Sequence, residues 1–170
     1  MNRHYERYLF NRYPLLYQGR HKPITRNLMA FGFACDDGWF HIINALSQRL
    51  HGQYDHYNSK YQERVGRAGE LVFPDLEESG WNYRITQEGI DKLKNQVDEE
   101  AQKIPEVVQV KEKFGTLRFY CNGTTDKQQN YIDFAESMSA VTCEVCGKPG
   151  KTVGRRWLKT LCKEHRKGYE

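Results

Sequence analysis

The chain has 170 residues, the length of one ordinary domain or of a domain with a small appendage. Apolar residues make up 38% and aromatics 13%, which can close a core despite a mean hydropathy of −0.85 and speaks against wholesale disorder. The formal charge is only +4, and no apolar run approaches the roughly 20 residues needed to cross a bilayer.

Residues 3–13 place Tyr5, Tyr8, Leu9 and Arg12 at helical spacing, and Pro14 ends the run. Residues 14–36, with Gly19, Pro23 and no clear period, read as a long connection. Asp37 is the expected N-cap of a helix reaching His51. Along it Phe40, Ile43, Leu46, Ser47 and Leu50 share a face, and Gly52 follows as a stop. The polar, Tyr-rich stretch 53–70 fits a mobile loop, and the short apolar pieces of 71–85, around Pro74 and Gly80, fit one or two extended segments.

The second half has clearer periods. Thr86 can cap a helix to about Ile104, with Ile90, Leu93, Val97 and Ala101 forming one stripe before Pro105. Residues 107–111 and 116–120 read as a β-hairpin around Gly115, with Leu117 and Phe119 alternating against Arg118 and Tyr120. Thr125 or Asp126 begins a last helix to about Ala140, its apolar side formed by Tyr131, Phe134, Ala135 and Met138.

Five cysteines stand at positions 35, 121, 143, 146 and 162. The odd count, behind an N-terminal stretch with charges and tyrosines where a signal peptide would be apolar, argues against a disulfide framework. Three of them join a histidine in the pattern Cys143-x₂-Cys146, fifteen residues, Cys162-x₂-His165. Each short pair can wrap a tight turn around one ion, and the segment between them can supply a small hairpin, so the pattern predicts a closed Cys₃His zinc site. Gly147 and Gly150 suit the first knuckle. Such a set leaves no open position for water, which favours a structural role for Zn²⁺ over catalysis. Trp157 and Leu158 are expected to pack this module onto the preceding helix.

Charge is distributed unevenly. Residues 1–30 hold six basic residues and one acid, residues 141–170 hold eight and three, and the middle holds 12 basic against 18 acidic. Basic ends on an acidic body predict that a polyanion meets the termini first. Arg155, Arg156 and Lys159, between the two knuckles, are the expected exposed basic edge for an acidic protein surface or for phosphate. The interleaved Arg and Tyr of the N-terminal stretch suit an amphipathic docking helix or stacking on bases.

A weaker constellation lies at 33–41. Cys35, Asp37 and His41 would form a nucleophile with a base, or a second metal site, if they converged; otherwise this is a capped helix start with a buried Trp39 and a small core Cys35. His4, His21, His51 and His56 are scattered and read as surface residues, and Cys121 as buried.

The combination of Gly32-Phe33-x-Cys35-x-Asp37-Gly38-Trp39, the block Val108 to Tyr120 (VQVKEKFGTLRFY), and Cys143-Glu-Val-Cys146-Gly147 followed by Trp157-Leu-Lys-Thr-Leu-Cys162 and His165 resembles a family of small uncharacterised proteins of tailed phages and prophages. The likeness covers about residues 31–46 and 105–166. Asp36-Asp37 departs from the Gly-Asp of that pattern. The resemblance implies a phage origin and a C-terminal zinc-ribbon-like element, and carries no activity; with no apolar leader or span in the sequence, the expected location is the host bacterial cytoplasm.

The reading is therefore an α+β protein, helices on a short antiparallel sheet, with a 1–140 body and a 141–170 zinc module. The body would include a basic helical arm over 1–30 and a mobile loop region over 53–85. The expected function is non-enzymatic: a phage accessory protein that binds a host protein or protein complex, inhibiting a bacterial defence system or altering host transcription, with no membrane involved. Two alternatives stand beside it: nucleic-acid binding through the basic zinc module, and a metal-dependent hydrolase built on Cys35, Asp37 and His41.

Overall fold

A computed structural model describes residues 1–72 and 83–169 of the chain. Among them the elements run, in chain order, α1 (Arg3–Arg12), β1 (Phe33–Ala34), α2 (Phe40–His51), α3 (Tyr54–Arg64), β2 (Leu71–Val72), β3 (Tyr83–Arg84), α4 (Gln87–Gln102), β4 (Glu106–Lys113), β5 (Thr116–Asn122), α5 (Asp126–Ser139), β6 (Lys151–Val153) and β7 (Lys159–Leu161). Short 3₁₀ turns occupy Gln18–His21, Leu28–Phe31 and Asp37–Trp39. The class is α+β, and none of the described helices is long and apolar enough to cross a membrane.

Contacts group the chain into two compact units, Met1–His51 with Ile104–Glu170, and Gly52–Lys103. The cysteine-rich C-terminal segment belongs to the first unit. So do the first 30 residues, which bury Leu9, Tyr13, Leu16 and Tyr17 instead of projecting as an arm.

The sheet of the first unit has the order β1-β4-β5. β4 and β5 form the predicted hairpin, with Val110 opposite Phe119 and Lys113 opposite Thr116. The expectation of a purely antiparallel sheet is corrected by β1, which pairs parallel to β4 through Phe33 and Val110. The reason is the second edge of β4, whose polar backbone groups need partners once β5 has taken the first. The 14–36 connection supplies them: Leu16 O accepts the Val107 N–H at 3.0 Å, and buried Asn27 donates from Nδ2 to Val107 O at 3.0 Å and to Glu106 Oε1 at 2.9 Å.

Val107, Val110, Leu117 and Phe119 are buried on the sheet, and Ile43, Leu46 and Leu50 of α2 add their predicted stripe to the core. Tyr17 and Ser47 share a buried hydrogen bond of 2.6 Å between their hydroxyls. α5 begins with a capping box between Thr125 and Gln128. Its buried face is Ile132, Ala135 and Ser139, which shares only Ala135 with the predicted Tyr131-Phe134-Ala135-Met138 side, and Phe134 is 67% exposed. Ser139 explains the rotation. Its hydroxyl accepts the Leu117 N–H at 2.8 Å and donates to Glu136 O at 2.5 Å, so a polar residue spends its hydrogen bonds inside.

In the second unit, α3 replaces the expected mobile loop. Tyr54, Tyr57 and Tyr61, at helical spacing, are all half-buried, and α3 packs on α4. α4 starts where Thr86 Oγ1 accepts the Gly89 N–H at 3.0 Å, and buries Ile90, Leu93 and Val97 as predicted. β2 and β3 pair antiparallel, Leu71 opposite Arg84. The pieces expected around Pro74 and Gly80 lie outside the described residues.

Candidate metal centre

Two reverse turns present the cysteines. In the first, the Gly147 N–H donates to Cys143 O at 2.9 Å and the Cys143 N–H to Lys148 O at 2.8 Å, with Gly147 at φ 76°, a conformation open to glycine. In the second, the Arg166 N–H donates to Cys162 O at 3.0 Å. β6 and β7 join the turns as an antiparallel ladder, and the Glu144 N–H donates to Thr160 O at 2.9 Å. Cys143, Leu161 and Cys162 are buried together with Val153 against them, too few apolar residues for a core.

The donor atoms of Cys143, Cys146, Cys162 and His165 all lie within 4.8 Å of one another, close enough to hold one metal ion. Cys146 Sγ is 3.8 Å from Cys162 Sγ, and His165 Nδ1 is 3.5 Å from Cys143 Sγ and 3.2 Å from Cys162 Sγ. The His165 backbone N–H draws the Cys162 thiol down to about 6, so the thiolate that binds metal is favoured at neutral pH.

The 33–39 motif finds its role here. Gly38 lies against the first knuckle, its N–H donating to Glu144 O at 2.6 Å, and a Cβ at this position would stand 2.2 Å from Cys143 O and 2.6 Å from the Cys146 amide nitrogen. Only glycine fits this approach. Trp39 is fully buried as expected and donates from Nε1 to Thr142 O at 2.8 Å. Asp37 does not cap a helix; its carboxylate accepts the Asn2 backbone N–H and the Asn2 Nδ2, each at 2.6 Å.

The convergence of Cys35, Asp37 and His41 is not found. The Cys35 thiol is buried and pushed up to about 12 by that burial, Asp37 is engaged by Asn2, and His41 is exposed on an open groove between α2 and α5. They form no ligating group, and among the described residues the Cys₃His cluster is the one such group. Cys121 is half-buried, and burial pushes its thiol too up to about 12. Of the scattered histidines, His51 is buried beside the Tyr13 ring, 5.5 Å between centroids.

The expected basic edge is divided. Arg155 and Arg156 are exposed, but Lys159 is not part of that surface: its Nζ donates to Glu144 Oε2 at 2.9 Å and lies 3.7 Å from Asp36. Glu144 is 2% exposed and its Oε1 also accepts the Asp36 N–H at 3.2 Å. A carboxylate buried inside a knuckle needs a cation, and Lys159, facing it across the ladder, supplies one. The acid between the ligand cysteines was the sequence signal for this pair. Trp157 does not pack on the preceding helix; it is 72% exposed, while Leu158 is half-buried. The chain matches no protein-family model, no curated protein and no solved structure.

Proposed function

We propose that this chain is a zinc-stapled, non-enzymatic accessory protein of phage origin that binds a host macromolecule. The observation that carries the zinc is the shape of the donor set. A tetrahedron with Zn–S of about 2.3 Å and Zn–N of about 2.0–2.1 Å has S–S edges of about 3.8 Å and S–N edges of about 3.6 Å. Three of the six donor separations compare with these, 3.8 Å for Cys146 to Cys162 sulfur and 3.5 and 3.2 Å for sulfur to Nδ1, and all six lie within 4.8 Å. Soft thiolates with an imidazole suit zinc and disfavour magnesium or calcium.

With four protein donors the ion has no vacant position, so its contribution is folding free energy and not the activation of water. Support for a binding role is the exposed pair Arg155 and Arg156 beside this rigid point. Support for phage origin is the sequence resemblance. Blocking a bacterial defence system or redirecting host transcription suits a host-directed binder. The unmatched arginines suit a polyanion, whether an acidic host protein surface or a nucleic acid.

Metal analysis of protein never exposed to chelator should give one zinc per chain; a content well under one equivalent overturns the reading. Affinity capture from infected cells, with and without nuclease and chelator, should recover a macromolecule that is lost when the zinc is removed.

A further inference from the structure

Two hairpin turns lie side by side and expose aromatic rings that neither folding nor packing requires. The β4–β5 hairpin closes on Phe114 and Gly115, both at positive φ, 55° and 81°, the signature of a type I′ turn. Asparagine, aspartate or glycine belongs at the first of these positions, and a bulky side chain there is an outlier. Phe114 is the one non-glycine residue at positive φ among the described residues, and it is 68% exposed. The β6–β7 turn folds back tightly at Gly154, φ 100°, where a Cβ would stand 2.1 Å from Trp157 O. That leaves Arg155, Arg156 and Trp157 outward, the tryptophan 72% exposed.

The turns touch. Thr160 Oγ1 donates to Gly115 O at 2.6 Å, and a Cβ at Gly115 would meet Thr152 Cγ2 at 3.2 Å and the Lys159 amide nitrogen at 3.3 Å. Lys113, Arg155 and Arg156 adjoin the two rings in sequence, and Lys151 stands at the start of β6; all four are exposed, none is in an ion pair among the described residues, and Lys113 Nζ lies 5.3 Å from the Phe114 ring centroid. Residues 113–116 and 151–160 contain no acid. The neighbouring Glu112 is occupied by the Gly115 N–H at 2.7 Å.

We propose that this double-turn edge is a binding platform for single-stranded nucleic acid, with Phe114 and Trp157 stacking on bases while Lys113, Lys151, Arg155 and Arg156 meet phosphates. Exposed rings beside cations that have no acidic partner are the two components of such platforms, because every base offers a π-face and every linkage a charge; Lys113 over one face of Phe114 leaves the other face for a base. In a duplex those faces are covered by neighbouring pairs, so the rings select unpaired strands. An acidic protein would match the cations equally, but it would have to supply an apolar pocket for each ring. The platform depends on the zinc reading only through the hold that the knuckles keep on the β6–β7 turn.

The test is fluorescence anisotropy of the full-length, zinc-loaded chain with labelled oligothymidylate and oligouridylate of about 20 nucleotides, longer than one such site. A duplex of equal length and polyglutamate serve as controls. Four phosphate contacts on a single strand predict a log K against log salt slope of about −3, or about 50-fold weaker binding on going from about 50 to about 200 mM salt. Trp157→Ala should weaken binding by about tenfold. Phe114→Asn should weaken it while raising Tm, since asparagine relieves the turn.

Single strands bound no tighter than duplex or polyglutamate overturn the proposal, as does wild-type affinity in both ring variants. Failure of a chain that carries one zinc to bind any strand overturns it while leaving the metal reading intact. A chain without zinc that still binds single strands through Trp157 upholds it and overturns the metal reading alone.

Discussion

A methyl group at position 38 would stand 2.2 Å from Cys143 O and 2.5 Å from the Gly147 nitrogen, and both are backbone atoms of a tight turn that cannot yield cheaply. Gly38→Ala should therefore cost about 1–3 kcal/mol of stability through overpacking. It should also speed the loss of metal to a colorimetric chelator, a result that a remote destabilisation would not give. The buried carboxylate of Glu144 answers to Lys159 in the same way. Lys159→Met leaves a 2% exposed acid without its cation and should cost about 3 kcal/mol in urea unfolding, and Glu144→Gln added to it should recover much of that loss. Glu106 gives a pH signature. Lys22, and then Asn27, donate to its carboxylate and hold it below the usual carboxylate range. Its contribution is present above the unfolded value of about 4.3 and fades as pH falls through the folded one. Glu106→Gln should accordingly lower Tm at pH 7, and the difference from wild type should shrink as pH falls below about 4.3.

Among the elements, α5 shows how hydropathy and burial part company. Ile132 is 2% exposed and Phe134 67%, although both are large apolar side chains. Ile132→Ala should cost about 2–5 kcal/mol by leaving a cavity, whereas Phe134→Ser should stay within about 0.5 kcal/mol, both by denaturant unfolding. A larger cost at Phe134 than at Ile132 would mean that the helix sits on its predicted face. The decisive side chain is Ser139, which trades its hydroxyl for the Leu117 amide and turns the helix about its axis. α3 is the converse case: tyrosines at helical spacing form a half-buried stripe that polar neighbours hide from any hydropathy count.

For the whole molecule, the metal centre is tied to the rest of the first unit by Gly38 and Asp36 to Glu144, Trp39 to Thr142, Lys159 to Asp36 and Thr160 to Gly115. A structural zinc of the proposed kind supplies on the order of 10 kcal/mol. Cys146→Ser should release it, and the loosening should not stop at residue 141. Hydrogen exchange should rise at 36–40 and 114–117 together with 141–166. Exchange confined to the last 30 residues would show instead that the knuckles form an independent module.

Local spacing made part of this protein legible. The cap at Thr86, the stripe Ile90-Leu93-Val97, the turn at Gly115 and the Cys₃His pattern are each written within one or two turns of chain, where the covalent backbone already decides which residues are neighbours. The same spacing could not reveal the parallel pairing of β1, the approach of Gly38 to the knuckle, the pairing of Lys159 with Glu144 or the outward position of Trp157. Asp36 meets Glu144 across 108 residues, and Trp39 meets Thr142 across 103. Such contacts, whatever their separation in the chain, are chosen by which surfaces fit when the chain closes on itself: a backbone edge without partners drew in β1, a buried carboxylate drew in Lys159, and a tight knuckle admitted only Gly38. The residues that could ligate a metal were set by local sequence. What they fasten together was set by packing, because burial and close approach are properties of the assembled core.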